Sequence, residues 1–149
     1  MTNVIVTNKK AAYDYFILSK YEAGIVLQGS EIKSIRNHAV NLKDSYVVIK
    51  NQEVFILNMH IAEYSHGNLF NHDPFRTRKL LLHKKEILKM QLKIKQEGFT
   101  LIPTKLYFNE KGKVKVEIAL AKGKKLYDKR ETIKQREQKR ELQKNYKQF

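Results

Sequence analysis

The chain has 149 residues, with 30 Lys and Arg against 15 Asp and Glu, and its formal net charge is +15. A hydrophobic content of 42% is enough for one core, and the absence of cysteine excludes disulfides, thiolate metal sites and cysteine nucleophiles. The first twenty residues hold no apolar run long enough for a secretory signal or a membrane span, so a cytoplasmic location is expected.

The N-terminal part of the chain predicts two short strands followed by a helix. The strands are predicted over residues 13–18 and 24–28. Ser30 can cap a short helix that continues to Arg36. We expect this helix to bury two isoleucines and to display its charged residues, namely Ile32 and Ile35 inside and Glu31, Lys33 and Arg36 outside.

The middle of the chain predicts a hairpin and a longer helix. Residues 46–50 and 53–57 are rich in Val, Ile and Phe and are separated by Asn51 and Gln52. The helix is predicted over residues 84–97 and ends at Gly98, a residue type suited to the position after a helix. Its apolar arc, which we expect to pack on the core, consists of Ile87, Leu88, Met90, Leu92 and Ile94.

A second hairpin follows the longer helix. Residues 113–120 alternate apolar and polar side chains, as a half-buried strand does, and residues 109–112 form a turn that joins them to a strand over 100–108. Pro103 indicates either an edge position or a bulge. Six short strands in total predict a mainly β domain, a small closed or partly closed antiparallel barrel with flanking helices.

The last part of the chain has a different composition. Residues 121–149 carry 11 basic and 4 acidic side chains and few large apolar groups. Such a segment cannot bury enough surface to order itself, so we expect a folded domain over 1–120 and a basic tail over 121–149 that is disordered when free.

No pattern in the sequence points to catalysis. His66 and His72 lie six residues apart with Asp73 nearby, but this spacing matches no helix or hairpin pattern of metal ligands, which favours ordinary loop histidines. No nucleophile, phosphate-binding loop or paired carboxylates can be identified. We therefore predict a binding protein, with no catalytic residues, no metal and no cofactor.

Clustered cations indicate the class of ligand. Arg76, Arg78 and Lys79 lie within four residues, and Lys122, Lys124 and Lys125 surround Gly123 after the last predicted strand. The net charge of the chain attracts polyanions, which makes nucleic acid the first predicted partner and an anionic membrane surface the second. Clustering at the ends of barrel strands favours RNA over a merely solvated surface.

Several motifs together resemble those of the SmpB family, the bacterial proteins that bind transfer-messenger RNA (tmRNA). The similarity extends from about Asn8 to Glu137. The motifs that carry it are YEAG (21–24), LQGSEIKSIR (27–36), GNLFNHDP (67–74), RTRKLLLHK (76–84) and AKGKKLYDKRE (121–131).

The resemblance implies a fold and a set of RNA-binding residues. The implied fold is a six-stranded antiparallel barrel of the oligonucleotide-binding (OB) type with two to three flanking helices. The implied contacts with tmRNA are Asn8, Lys9, Tyr15, Glu22, Lys33, Arg36 and Leu81, with Arg78, Lys122 and Lys124 as electrostatic neighbours. Glu22 would accept a hydrogen bond from a base or ribose, or orient a neighbouring cation. Leu81 would contact an unstacked base or pack in the core.

The resemblance also implies a task for the tail. It would become helical in the empty decoding centre and message channel of a stalled ribosome, with the ring of Tyr127 stacking on a decoding-centre base. The tail residues assigned to ribosome binding are Tyr127, Asp128, Lys129, Arg130, Lys134, Arg136, Lys139 and Arg140.

The implied function is ribosome rescue by trans-translation. The chain would hold the tRNA-like domain of tmRNA and deliver it to the stalled ribosome together with elongation factor Tu and GTP, which it would meet through the RNA; no membrane takes part. The alternative is a general OB-fold RNA-binding protein or a ribosome-associated RNA chaperone without specificity for tmRNA.

Overall fold

The computed structural model describes residues 3–64 and 71–124. Within these ranges the chain forms nine strands and three helices, which confirms the mainly β prediction and the predicted number of helices. In chain order they are β1 (Asn3–Thr7), α1 (Lys9–Asp14), β2 (Tyr15–Ile25), α2 (Gly29–Arg36), β3 (Val40–Asn41), β4 (Tyr46–Lys50), β5 (Glu53–Leu57), β6 (His60–Ile61), β7 (Arg78–Leu81), α3 (Lys84–Glu97), β8 (Thr100–Phe108) and β9 (Val114–Gly123).

Six antiparallel strands close into a ring. Their order is β8-β4-β5-β7-β2-β9, and the β8–β9 hairpin completes the circuit. β1 extends the sheet beside β8, while β3 and β6 form a separate two-stranded sheet. The prediction of six ring strands is confirmed, but one of the six is formed by a different segment of the chain from the one predicted.

The difference lies in β2, which is one long strand instead of the two predicted short ones. Tyr13 and Asp14 belong to α1, and β2 ends at Ile25, before residues 26–28. The polar stretch 19–22 had interrupted the apolar pattern in the sequence. In the structure it remains extended because β9 pairs with β2 along its length, from Tyr15–Gly123 to Gly24–Lys115. The sixth ring strand is β7, which the sequence did not predict as a ring member.

Both predicted hairpins are confirmed, with the bounds of β4, β5 and β8 as expected. Asn51 and Gln52 have φ angles of 52° and 62°, the left-handed conformation that two-residue hairpin turns require. In the second hairpin the side-chain oxygen of Asn109 accepts the backbone N–H groups of Lys111 and Lys113, at 3.0 and 2.9 Å. β9 continues to Gly123, three residues beyond the predicted strand.

The predicted irregularity at Pro103 is a bulge. The register of β8 against β9 shifts between Pro103 and Lys105, so Thr104 is the extra residue. A bulge of one residue reverses which side chains face inward. As a result Leu106 is buried in the core, and Lys105 and Tyr107 lie on the outer face of the ring.

The core fills the inside of the ring and is covered at one side by α3. This helix buries Ile87 and Met90 and ends at Gly98, whose φ of 71° confirms the predicted helix end. The expectation for its apolar arc was too broad, because Leu88 and Leu92 are 42% and 55% exposed. A narrow apolar stripe is enough to attach α3 to the core, since the helix packs on the ring along one line of side chains.

Two expectations for α2 were wrong. The N-cap residue is Gln28, whose backbone N–H donates to the Glu31 side chain at 2.8 Å. The Ser30 hydroxyl does not cap the helix but lies 2.8 Å from Nδ1 of His72, whose Nε2 contacts the Ile61 carbonyl oxygen. Glu31, which we expected on the surface, is completely buried.

Glu31 is buried because two arginines neutralise it. Arg78 on β7 is also completely buried and donates through Nε to Glu31, while the Arg76 guanidinium donates to the other carboxylate oxygen at 2.6 Å. Arg78 further donates to the carbonyl oxygens of Met59 and Pro74, at 2.7 and 3.1 Å. This buried ion cluster therefore joins the start of α2 to β7.

The pKa values of the cluster reflect burial and pairing. Burial raises the pKa of Glu31, but hydrogen bonds from Arg76, the Gln28 backbone and Arg78 lower it by more, so the net pKa lies below its ordinary value. Burial lowers the pKa of Arg78, and Glu31 opposes that shift. The carboxylate is therefore charged in the folded protein near neutral pH.

Within residues 3–64 and 71–124, each helix is too short or too polar to cross a lipid bilayer.

Candidate nucleic-acid interface

The outer face of β2, β9 and β8 carries a strip of charged and polar side chains, which we name the outer strip. The strand register aligns Gly24, Lys115 and Tyr107 in one row. It aligns Glu22, Glu117 and Lys105 in the next row. Because strand neighbours lie about 5 Å apart, side chains within a row are in contact range.

Hydrogen bonds fix the acidic side chains of the outer strip. The Tyr107 hydroxyl donates to the Glu22 carboxylate. Burial of Tyr107, this hydrogen bond and the charge of Glu22 all raise the pKa of its phenol, which therefore remains a donor. The result is an exposed carboxylate at Glu22 that is oriented by a buried tyrosine.

Glu117 is surrounded by cations and a hydroxyl. The Thr104 hydroxyl donates to its carboxylate at 2.5 Å, and the Nζ atoms of Lys20 and Lys105 lie 3.8 and 3.9 Å from it. Alternating charges of this kind offer cations to phosphates and an acceptor to base amino groups or ribose hydroxyls.

One end of the outer strip opens into a cleft of about 390 Å³ that contains two predicted RNA-binding residues. Arg36 and Leu81 both line it, together with Lys113 and Lys115. Leu81 is 52% exposed, so of the two roles left open by the sequence the structure places it at the surface and not in the core. A side chain at Gly24 would come within 3.3 Å of Leu81, so glycine keeps this part of the surface open.

The other end of the outer strip brings together five more predicted residues around α1 and the end of β9. Asn8 precedes α1 and donates from its side chain to the Pro103 carbonyl oxygen at 2.9 Å. Tyr15 packs against the small cluster formed by α1, β8 and β9, and Lys9 is exposed. Lys124 donates to the Ala12 carbonyl oxygen at 2.8 Å, and Lys122 lies two residues before it. Tyr15 and Glu22 are seven residues apart on one strand, so the strip is about 23 Å long.

Two predicted residues lie elsewhere. Lys33 is on the exposed side of α2, with its ammonium 5.4 Å from the centre of the Tyr64 ring. Arg78 was expected to be an electrostatic neighbour of RNA, and the structure contradicts this, because its guanidinium is buried and neutralised by Glu31. The sequence pattern could not show this pairing, which joins residues 47 positions apart.

Sequence reasoning missed several residues of the outer strip. Tyr107 and Lys105 were not identified because strict alternation along β8 would turn both side chains inward and Leu106 outward. The bulge that Pro103 indicated was the available signal, since it reverses the alternation for all later residues of the strand. The alternation of residues 113–120 does predict that Lys115 and Glu117 share the polar face of their strand, but it did not identify them as part of the RNA-binding site.

Other predictions fall on residues that the structure does not describe. The tail assignments from Tyr127 to Arg140 lie outside the described residues, as does His66. The expected disorder from residue 121 is wrong for residues 121–123, which belong to β9, and from residue 125 onward it concerns residues outside the described ranges. His72 is buried and hydrogen-bonded within the fold. Among the residues the structure does describe, no three His, Asp or Glu side chains come together as a metal site would require.

Comparisons with known proteins place this geometry in context. The family model described as SmpB protein matches residues 5–148. An SsrA-binding protein of Fervidobacterium nodosum is 60% identical over 98% of this chain and 95% of its own length. One of Thermosipho melanesiensis is 62% identical over 90% of this chain and 91% of its own. A chain from a solved structure concerned with tmRNA–SmpB and the bacterial ribosome matches with a TM-score of 0.66 and 46% identity, over 80% of this chain and 83% of that one.

Proposed function

The chain belongs to the SmpB family, and from that premise we propose that it binds the tRNA-like domain of tmRNA and delivers it to stalled ribosomes for trans-translation. The observation that carries this proposal is an identity of 60% with an SsrA-binding protein over nearly the whole chain. SsrA is another name for tmRNA. The function is one of binding and delivery, and the chemistry of tagging belongs to the RNA and the ribosome.

The outer strip and its two ends form the surface for tmRNA. On the strip and its ends we assign the RNA contacts to Asn8, Lys9, Tyr15, Glu22, Arg36, Leu81, Lys122 and Lys124. We add Lys33, which lies apart from the strip on α2, and leave out the buried Arg78. A strip of about 23 Å with cations at both ends spans several nucleotides. Glu22 supplies specificity here because a carboxylate repels phosphate and accepts hydrogen bonds from bases or ribose.

The ribosome is the second partner. We assign its contacts to the basic tail from Tyr127 to Arg140, whose cations suit a channel walled by ribosomal RNA. Elongation factor Tu with GTP joins the assembly through tmRNA in this proposal, not through a surface of this chain.

The first prediction tests recognition of the RNA. In equilibrium binding at physiological salt, the full chain should prefer the tRNA-like domain of tmRNA over ordinary tRNA and over a plain RNA duplex. The preference should be on the order of 4 kcal/mol, because fixed contacts add to the attraction of phosphates that all three RNAs share. Equal affinity for the three RNAs would replace this function by that of a general RNA-binding protein or RNA chaperone.

The second prediction concerns the orientation of Glu22. Tyr107→Phe removes the hydroxyl that holds the carboxylate and should weaken binding to the tRNA-like domain by about tenfold, since a hydrogen bond to a charged group contributes about 1.5–3 kcal/mol. Filter binding or anisotropy measures the change. Tyr46→Phe, a matched substitution of an exposed tyrosine on β4, should leave binding unchanged.

A double-mutant cycle separates orientation from simple loss of stability. In a Glu22→Gln background, Tyr107→Phe should have almost no further effect on RNA binding, because the carboxylate that Tyr107 orients is already absent. If the tyrosine change costs as much in that background as in the wild type, Tyr107 does not act through Glu22.

A further inference from the structure

Lys33 on α2 lies apart from the outer strip but continues the surface at one end of it. It is exposed, and Arg36, three residues later on the same helix, lines the cleft of about 390 Å³ described above. Residues three positions apart on a helix share a face and have Cβ atoms about 5–6 Å apart. The cationic surface of that cleft therefore continues along α2 to Lys33.

The ammonium of Lys33 has a defined neighbour in the ring of Tyr64. Its Nζ atom lies 5.4 Å from the ring centre, within the range of a cation–π interaction, and Tyr64 is half-buried. In the part of the chain that the structure describes, no carboxylate forms an ion pair with Lys33. The ring therefore restrains the ammonium without neutralising its charge, which remains available to a phosphate.

The backbone of Tyr64 is held in turn by one side chain. Asn71 accepts the Tyr64 N–H through Oδ1 at 3.0 Å and donates from Nδ2 to the Tyr64 carbonyl oxygen at 2.7 Å. The same Oδ1 also accepts the N–H of His72 at 3.2 Å. Because both groups of one planar amide bind the same residue, the backbone of Tyr64 has little freedom to move relative to Asn71.

This segment is attached to α2 at a second point. The Ser30 hydroxyl lies 2.8 Å from Nδ1 of His72, whose side chain is buried. Ser30 and Lys33 are three positions apart on α2, so His72 and the Tyr64 ring contact one face of the helix. The hydrogen bonds of Asn71 and His72 therefore set where the Tyr64 ring lies relative to Lys33.

We propose that Tyr64 is a positioning residue for RNA binding, whose ring holds the Lys33 ammonium in place to contact one backbone phosphate of the tRNA-like domain of tmRNA. Immobilising a flexible lysine on binding costs entropy, and a lysine that is already restrained before binding loses less. The inference rests on the proposed function and adds to it one residue outside the assigned contacts. It also gives Asn71 and His72 of the GNLFNHDP motif a part in RNA binding.

A double-mutant cycle in the full chain tests this role, with binding to the tRNA-like domain measured over a series of salt concentrations. Lys33→Ala should weaken binding and reduce the slope of log Kd against log salt by about one, as the loss of one phosphate contact does. Tyr64→Leu removes the ring and should weaken binding about two- to fivefold. In the Lys33→Ala background, Tyr64→Leu should have no further effect, because the side chain that the ring positions is already absent.

Two further variants separate the effect of the ring from other effects of the substitution. Tyr64→Phe keeps the ring and removes only the hydroxyl, so its affinity should equal that of the wild type. Tyr46→Leu is the matched control, because it removes the ring of a 42% exposed tyrosine on β4, and it should leave binding unchanged. Urea unfolding is measured for every variant, so that affinities are compared between folded proteins only.

A measurement on the wild-type chain without RNA keeps the proposal testable even if Tyr64→Leu does not fold. Protons that lie over an aromatic ring are shifted upfield by its ring current. The ε-methylene protons of Lys33 should therefore resonate upfield of those of other exposed lysines in the NMR spectrum, and they should do so in Tyr64→Phe as well. Unshifted Lys33 protons in the wild type would overturn the proposal, because the ring would then not restrain the lysine.

Three binding results would also overturn it. The first is Lys33→Ala with wild-type affinity and salt slope, and the second is an undiminished effect of Tyr64→Leu in the Lys33→Ala background. The third is Tyr64→Phe binding as weakly as Tyr64→Leu, which would assign the effect to the hydroxyl. Equal wild-type affinity for the tRNA-like domain, ordinary tRNA and a duplex would refute the proposed function, whereas an additive cycle with selectivity intact would refute only the role of Tyr64.

Discussion

Glu31→Ala is expected to lower the free energy of unfolding by about 3–5 kcal/mol, because it leaves the buried guanidinium of Arg78 without its counter-charge. Both side chains are completely buried, so water cannot replace the lost partner. The same change removes the acceptor for the Gln28 backbone N–H at the start of α2. Urea denaturation of the two proteins, followed by circular dichroism, measures the difference.

A surface ion pair between β7 and β5 provides the control. Lys79, the residue next to Arg78, contacts Glu53 at 2.5 Å, and both side chains are nearly half exposed. Glu53→Ala should therefore cost less than about 1 kcal/mol. If the two alanine variants unfold at the same urea concentration, the buried ion cluster does not stabilise the fold in the way described.

The same carboxylate makes stability depend on pH. The pKa of Glu31 is lower in the folded protein than in the unfolded chain, so its contribution is present above the unfolded value of about 4.3 and is lost as pH falls through the folded value. The difference in stability between wild type and Glu31→Gln should accordingly be constant near neutral pH and shrink below about pH 4.

Ending the chain after Leu126 is expected to abolish peptide tagging and to leave binding to the tRNA-like domain of tmRNA within a few-fold of the wild type. All residues assigned to the tmRNA surface precede Lys125, whereas those assigned to the ribosome follow it. The removed segment carries eight basic and four acidic residues. Their loss reduces the general attraction of RNA only modestly. Tagging is measured in a reconstituted translation reaction on a message without a stop codon.

The single substitution Tyr127→Ala in the full chain refines this experiment. It keeps the charge of the tail and removes only the ring proposed to stack in the decoding centre, so it should reduce tagging without changing RNA affinity. A truncated chain that loses RNA binding and tagging to the same degree would contradict the proposed division of tasks between the outer strip and the tail.

Local patterns explain which parts of the fold could be predicted. The hairpins around Asn51 and Asn109 each consist of one continuous segment, residues 46–57 and 100–123, that contains its own turn residues, and their strand bounds were predicted well. The end of α3 at Gly98 likewise depends on one residue and its backbone conformation. Such features are readable because the interactions that determine them lie within the segment itself.

Long-range pairing explains what was missed. β7 begins with Arg78, a residue that points into the protein only because Glu31 is there to neutralise it. β2 continues through polar residues because β9 pairs with it. The outer strip depends on the pairing of β2 with β9 and on the bulge near Pro103. Glu22 in the strip and Leu81 in the cleft at its end were assigned through the family resemblance, while Tyr107 became evident only in three dimensions.

Closure of the ring has a consequence for how the protein folds. Tyr15 pairs with Gly123, roughly a hundred positions later in the chain, so the β2–β9 seam forms only after a large loop closes. The two hairpins can form within microseconds, whereas the seam sets a slower rate typical of non-local β topologies. During synthesis β2 therefore waits for β9, the last described strand, and the ring of the domain is completed only when nearly the entire chain has been made.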